Sequence, residues 1–352
     1  HGYWDQPELA AAGTSPAFTI ENTSQLALAE HGTLARLASF RLSNKPFVVS
    51  EYAEAAPNDF VVEGLPLLAT IASFQDWDGL FPYALLDQRA DFAADHVLGF
   101  FDLAGHPAKL AFLPLAALAF RRELVQPGPS LIELSIGRRL APAPTEEAAL
   151  STLWSKNGLP GGSIAVRRLG VRLLDSDANA AASHLLGITP PLTSETREII
   201  WDAENKKPRF LLNAPAVKLA VGFLAGERLA LGSVEFDLAP TSNGFAAVGL
   251  IALDGQDLAH SRRALLVTAG RAENTDMRFT RDRHSLESWG RAPVRAERVR
   301  LALTLEGSGW RANAVELDGS RAGGEIQGGK AAERTRLDLG TGSAGLWYLL
   351  ER

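Results

Sequence analysis

Helical and strand-like periodicities alternate between Ser24 and Ala84, and this alternation restricts the fold more than any other feature of the sequence. Leu26, Leu34, Leu37 and Leu42 fit a helix that packs on a sheet. Lys45 to Glu51 follows as a short apolar run ending on a carboxylate, and Ala56-Pro57-Asn58 marks a loop. Glu63 to Phe74 reads as a second apolar helix and Trp77 to Ala84 as the next strand. Helix, strand, loop, helix, strand at this spacing predicts βα units with a parallel sheet.

The texture changes near Val125. Gln126-Pro127-Gly128-Pro129 reads as a boundary, and Leu140 to Pro144 as a second linker-like stretch. Beyond about residue 195 short alternating segments recur, among them Arg209 to Leu212, Leu229 to Leu238, Phe245 to Leu253 and Val299 to Leu305. Such spacing predicts a β-sandwich. With 352 residues the chain has room for more than one domain. The expected division is 1–125 for the βα part, 126–194 for a mixed linking region with a short helix near Glu146 to Lys156, and 195–352 for the sandwich.

Several function classes are disfavoured. A net charge of −6 argues against a nucleic-acid partner, although Arg291 to Arg300 is locally basic. With no cysteine, disulfides, thiolate catalysis and cysteine-bound zinc are excluded. This leaves the compartment open, with secretion or the periplasm favoured over the cytoplasm. No apolar stretch approaches the roughly 20 residues of a membrane span; Leu110 to Phe120, interrupted by Pro114, reads as a buried segment. Histidines are scattered without metal-site spacing, so no metal is expected. No Gly-x-Ser-x-Gly elbow is present.

Glu51 is the candidate catalytic residue because it closes the apolar run Phe47-Val48-Val49. Its plain alternative is a solvated loop carboxylate. Trp77 with Asp78 is read as a sugar platform beside a hydroxyl acceptor, in preference to a core tryptophan with a capping acid. Tyr3 and Trp4 carry the same pair of readings. The stretch Lys45 to Tyr52, followed by Ala56 to Phe60 and Glu63, resembles the seventh-strand region of clan-A retaining glycoside hydrolases. Gln75 to Phe81 looks like their eighth-strand segment, and His1-Gly2-Tyr3 is similar to the His-x-Tyr that ends the sixth strand in cellulase-like members. The resemblance covers residues 1–125.

The resemblance implies the C-terminal strands of a (β/α)8 barrel, or TIM barrel, and an accessory β-sandwich. It also implies a hydrolase that cleaves a β-linked poly- or oligosaccharide without a cofactor. Catalytic groups in such barrels sit at the C-terminal ends of strands. Glu51 would be the nucleophile, with His1, Tyr3, Trp4, Tyr52, Trp77 and Asp78 around the sugar. Two departures matter. The clan's acid/base glutamate follows an asparagine, yet no Asn-Glu dipeptide occurs, and Ala53-Glu54-Ala55 stands where polar residues are usual. The acid/base is therefore expected from an N-terminal barrel segment or a second chain. The aromatic opening His1 to Trp4 without an initiator Met is read as the start of a fragment, of a processed form or of one piece of a longer reading frame. Two other readings stand beside this one: a non-catalytic carbohydrate-binding or scaffold protein, and an esterase-type hydrolase.

Overall fold

A computed structural model describes all residues except 13–15, 30–31, 88–92, 138–152, 160, 178–180, 183–188, 317 and 342–344. The expected linker Leu140 to Pro144, and residues 146–152 of the expected short helix, lie outside the described residues.

Three strands form a parallel sheet: β1 (Gly2–Trp4), β2 (Val48–Glu54) and β3 (Gly79–Pro82), with β2 in the middle. Between them lie α1 (Thr33–Ala38) and α2 (Gly64–Phe74), and α3 (Pro107–Arg121) comes after β3. The first helical pattern splits into a 3₁₀ turn at Gln25–Leu28 and the six-residue α1. Helix α2 is buried at every position. It tolerates Pro66 because a proline in the first turn removes no intrahelical hydrogen bond. It stops where Asp76 takes a left-handed φ of 59°. Pro107 opens α3 at a position that suits its fixed φ.

The barrel expectation is overturned. Strand accounts for 38% and helix for 15% of the structure, most sheets are antiparallel, and no barrel closes among the described residues. Among the described residues the parallel sheet stays open, because β1 and β3 have no further strand on their outer edges. Helix α3 does not lead into another parallel strand of that sheet. It lies instead across a nine-stranded antiparallel sheet, with the Trp347 indole donating to the Ala111 carbonyl at 2.7 Å. The chain is therefore no (β/α)8 or TIM-barrel hydrolase by fold, and any hydrolase reading has to stand on its site alone. Leu131–Ile136 and Arg168–Leu173 also pair in parallel, but in a separate small sheet. It is joined to the first part by a bridge from Leu42 to Val171, by the Leu169 N–H donating to Gln75 Oε1 at 2.8 Å and by Arg168 paired with Asp76 at 2.7 Å.

The nine-stranded sheet is the middle layer of the molecule. Its central strand, Phe245–Ala252, is buried at all eight positions. Alternation sends Ala247 and Ile251 towards α2 and α3, and Ala246, Val248 and Leu250 towards a five-stranded antiparallel sheet that includes Val234–Leu238 and Leu301–Glu306. One hydrophobic cluster runs from Leu26 through α2, α3 and Ile132 to Ala269, so apolar packing is continuous across the expected boundary at Val125.

Close approach of α3 to this sheet depends on Gly249. A Cβ there would stand 2.5 Å from Leu115 Cδ1 and 3.2 Å from Leu219 Cδ1. Gly249→Ala is therefore expected to destabilise the fold by about 1–3 kcal/mol, the usual cost of overpacking. Urea titration of both proteins checks this, and an unchanged midpoint would mean that α3 slides without penalty.

Candidate functional site

Alternation along β2 sorts its carboxylates onto opposite faces. Tyr52 and Glu54 point into the helical layer and are buried, whereas Glu51 is half-buried on the other face. Between Val49 and Tyr52 the strand carries one residue more than its partner Leu80 to Pro82. This bulge places Glu51 level with the C-terminal end of β3. On the other side Tyr3 pairs with Ala53, two residues beyond Glu51 and on the same face. Its hydroxyl reaches back and donates to Glu51 Oε2. Burial, the bond to Glu51 and the charge of Glu51, in that order, raise the Tyr3 phenol above its ordinary pKa, so it remains a donor at neutral pH.

Aromatic rings close around this pair. Tyr3 lies 5.9 Å from His1, 5.9 Å edge-on from Tyr83 and 5.0 Å from Phe101 between ring centroids. Tyr83 follows β3 directly, its N–H donating to the Tyr52 carbonyl at 2.8 Å, and its peptide bond to Ala84 is cis. Its hydroxyl donates to Asp87 Oδ1 at 2.6 Å, and that bond, followed by burial, raises the Tyr83 pKa. The Asp87 N–H in turn donates to buried Asp102 Oδ1 at 2.6 Å. The segment carrying Phe100 and Phe101 is fastened at Ala56 N–H to Phe100 O, Ala84 N–H to Phe101 O and Lys109 Nζ to Phe100 O.

The residues singled out in the sequence separate into two groups. His1, Tyr3 and Glu51 come together in one cluster. Trp4 sits beside it, half-buried, with its indole donating to Thr23 O at 2.9 Å. Tyr52 faces away into the core and accepts from Gln25 Nε2 at 2.7 Å. Trp77 and Asp78 precede the first residue of β3 and so lie at the opposite end of the sheet from Glu51. There Trp77 is buried against Phe47, centroids 5.1 Å apart, and Asp78 accepts from the Phe47 N–H at 2.7 Å. This is the core-and-cap alternative for that pair. Tyr83, Phe101 and Asp87 were not anticipated. An aromatic residue directly after β3 was a usable signal for Tyr83, while Phe101 comes from an irregular segment without periodicity. No group of three or more metal-ligating side chains occurs among the described residues.

The loop after β2 is anchored independently of the sheet. Asn58 donates to Asp5 Oδ2 and Thr23 O, and Asp59 receives a two-pronged contact from Arg283 at 2.6 and 2.9 Å. Arg283 comes from the β-rich half, so that half stabilises the loop on which Glu51's neighbours depend.

Behind β2 lies a buried ionisable cluster. Glu63 accepts from Ser24 Oγ at 2.5 Å and from the Gln25 N–H at 2.7 Å, and Gln25 also donates to Glu54 and Tyr52. Burial raises Glu63 to about 8; burial and the Glu63 charge raise Glu54 well above the usual carboxylate range; burial lowers Lys109 to about 7. Glu63 thus contributes stability that is full below its unfolded value of 4.5 and lost as pH rises through about 8. Lys109 contributes stability present above its unfolded 10.5 and lost as pH falls through about 7, so it is nearly constant below pH 7. Between pH 5 and 7 the carboxylates dominate. Wild-type stability is expected to fall across this window, and Glu63→Gln to flatten the fall by about 1 kcal/mol or more. Parallel slopes for the two proteins in urea titrations at pH 5, 6 and 7 would contradict this.

Comparison of the chain with protein-family models, curated proteins and solved structures gives no match.

Proposed function

We propose that the Glu51 cluster is a carbohydrate site and that Glu51 is the nucleophilic carboxylate of a retaining glycoside hydrolysis on β-linked sugars. The observation that carries this reading is the Tyr3–Glu51 hydrogen bond within a cluster of Tyr83, Phe101 and His1. A nucleophilic carboxylate has to be held at a fixed angle beneath the anomeric carbon, and the Tyr3 hydroxyl holds one oxygen of Glu51 while the other stays free to attack. Ring faces and edges suit the apolar C–H surface of a pyranose.

In the first step a Glu51 oxygen bonds to the anomeric carbon as the glycosidic C–O bond breaks, and the leaving oxygen takes a proton from a second carboxylic acid. In the second step water attacks the same carbon, the ester to Glu51 breaks, and that second carboxylate takes the proton from the water. Glu54 and Glu63 are buried on the opposite face, and Asp76 and Asp78 lie at the far end of the sheet, so none of these four serves as the second group. The second acid would then be supplied by a group outside these four, such as one on a second chain.

A second reading is carbohydrate binding without hydrolysis, favoured by the same ring cluster, which holds a sugar whether or not a proton donor is present. The two separate on covalent capture. Activated 2-deoxy-2-fluoro glycosides with a dinitrophenolate leaving group need no proton donor for the first step. Incubation followed by peptide mass mapping is expected to place one glycosyl group on Glu51. Sugar binding without any ester at Glu51 would leave the binding reading.

No helix among the described residues is long and apolar enough to cross a membrane.

A further inference from the structure

Asp87 stands in this cluster without a part in the two steps above. It is half-buried and fixed at two points, by the Tyr83 hydroxyl on Oδ1 and through its own N–H on buried Asp102, each at 2.6 Å. Its charge acts on Tyr3 as well as on Tyr83, and the charge of Glu51 acts on both phenols too. With Tyr3 bonded to Glu51, Tyr83 bonded to Asp87 and the two rings 5.9 Å apart, the two carboxylates flank one pair of tyrosine rings. A carboxylate has room for about four hydrogen bonds, and the Tyr83 hydroxyl takes one of them. Two hydroxyls on adjacent ring carbons present two donors side by side, which a carboxylate accepts with both oxygens.

We propose that Asp87 is a specificity-determining residue of this site, accepting from two adjacent free hydroxyls of the pyranose that lies against Tyr3 and Tyr83. The substrate class it selects is a pyranoside with an unsubstituted vicinal diol on that ring; a sugar methylated, acylated or deoxygenated at either position is discriminated against. The inference rests on the carbohydrate reading of the Glu51 cluster but not on its chemistry. A pocket that hydrogen-bonds a substrate hydroxyl rejects analogues lacking it, because the pocket's polar group is then left without a partner. Tyr83 is a positioning residue in this scheme, since it sets the direction of Asp87 Oδ1.

The test is calorimetric binding of the full chain to methyl β-pyranosides of gluco, galacto, manno and xylo configuration, followed by the monodeoxy analogues of the tightest binder. Wild type is expected to lose about 10–100-fold in affinity when either of two adjacent hydroxyls is removed, as for a hydrogen bond to a charged group. Asp87→Asn is expected to weaken the parent sugar by a similar factor and to bind parent and those two deoxy analogues alike. Tyr83→Phe, which keeps the carboxylate, is expected to retain the preference for the parent. Three results overturn the inference: wild type binding none of the sugars, Asp87→Asn keeping the wild-type discrimination, or Asp87→Asn weakening every analogue by one common factor, the mark of a merely structural role. Failure of covalent capture at Glu51 with diol discrimination intact would instead remove the catalytic reading and leave this one standing.

Discussion

Glu51→Ala is expected to reduce turnover of dinitrophenyl β-glycosides by about 10³-fold or more, the scale associated with removing a catalytic nucleophile. The substrate is chosen so that the departing phenolate needs no proton, which isolates the first bond-making event at the anomeric carbon. The alanine leaves a gap between Tyr3 and the sugar. Sodium azide is expected to fill it and restore turnover, yielding a glycosyl azide of inverted configuration, because the anion attacks from the side that Glu51 occupied. Nuclear magnetic resonance of the product gives the configuration directly. Tyr3→Phe is expected to have a smaller effect, since it loosens the nucleophile without removing it. Wild-type turnover surviving in Glu51→Ala would end the catalytic proposal, and azide rescue with retained configuration would place the nucleophile elsewhere.

The second large effect concerns stability. Trp201 lies fully buried on Ile199–Asp202 of the nine-stranded sheet, with its ring 5.6 Å from Phe210. Its indole N–H donates to the Leu26 carbonyl at 2.9 Å, across 175 residues of sequence. Trp201→Ala removes the largest class of core side chain and leaves the Leu26 carbonyl without its donor. Truncations of this kind cost about 3–5 kcal/mol, against a total stability of about 5–15 kcal/mol for an ordinary domain. Thermal unfolding is expected to show a marked drop in Tm, and the signal from the Tyr3–Glu51 region is expected to melt together with that of the sheet. A loss below about 1 kcal/mol would show that the layer between Leu26 and the sheet rearranges freely.

What could be read from the sequence follows from how local each signal is. The order helix, strand, helix, strand over residues 24–84 is a local pattern, and α2 sits where it placed it. Strand β2 runs from Val48 to Glu54, three residues later than expected, so Glu51 lies within the strand rather than at its end. Glu51 stood out because it closes an apolar run and Tyr3 because it belongs to the aromatic opening of the chain; their pairing across adjacent strands is a tertiary contact. Closure of a barrel is not local. It depends on partners for the edges of β1 and β3, and no residue of those strands encodes whether such partners exist. Trp77 and Asp78 precede the strand that begins at Gly79. Because that strand runs parallel to β2, its start lies at the end of the sheet away from Glu51, a consequence of pairing direction that the local pattern does not carry. The apolar run Leu110 to Phe120 announced burial but not against what; its partners are α2 and two strands that begin more than a hundred residues later, at Phe245 and Arg263. Asp87 and Phe101 owe their positions to tertiary contacts of an irregular segment, where side-chain periodicity carries no information.

The hydrophobic cluster that crosses Val125 bears on how the protein responds to being cut or stretched. Helix α3 is sandwiched between α2 and the strands Phe245–Ala252 and Arg263–Ala269, so severing the chain after it strips one side of its apolar cover. Amide protons in α2 and in Phe245–Ala252 should then exchange with solvent through a single shared opening event rather than two independent ones. For the same reason the Glu51 cluster would not travel as a transferable cassette. Grafted or inherited without the nine-stranded sheet, it would lose the floor that keeps its strands in register.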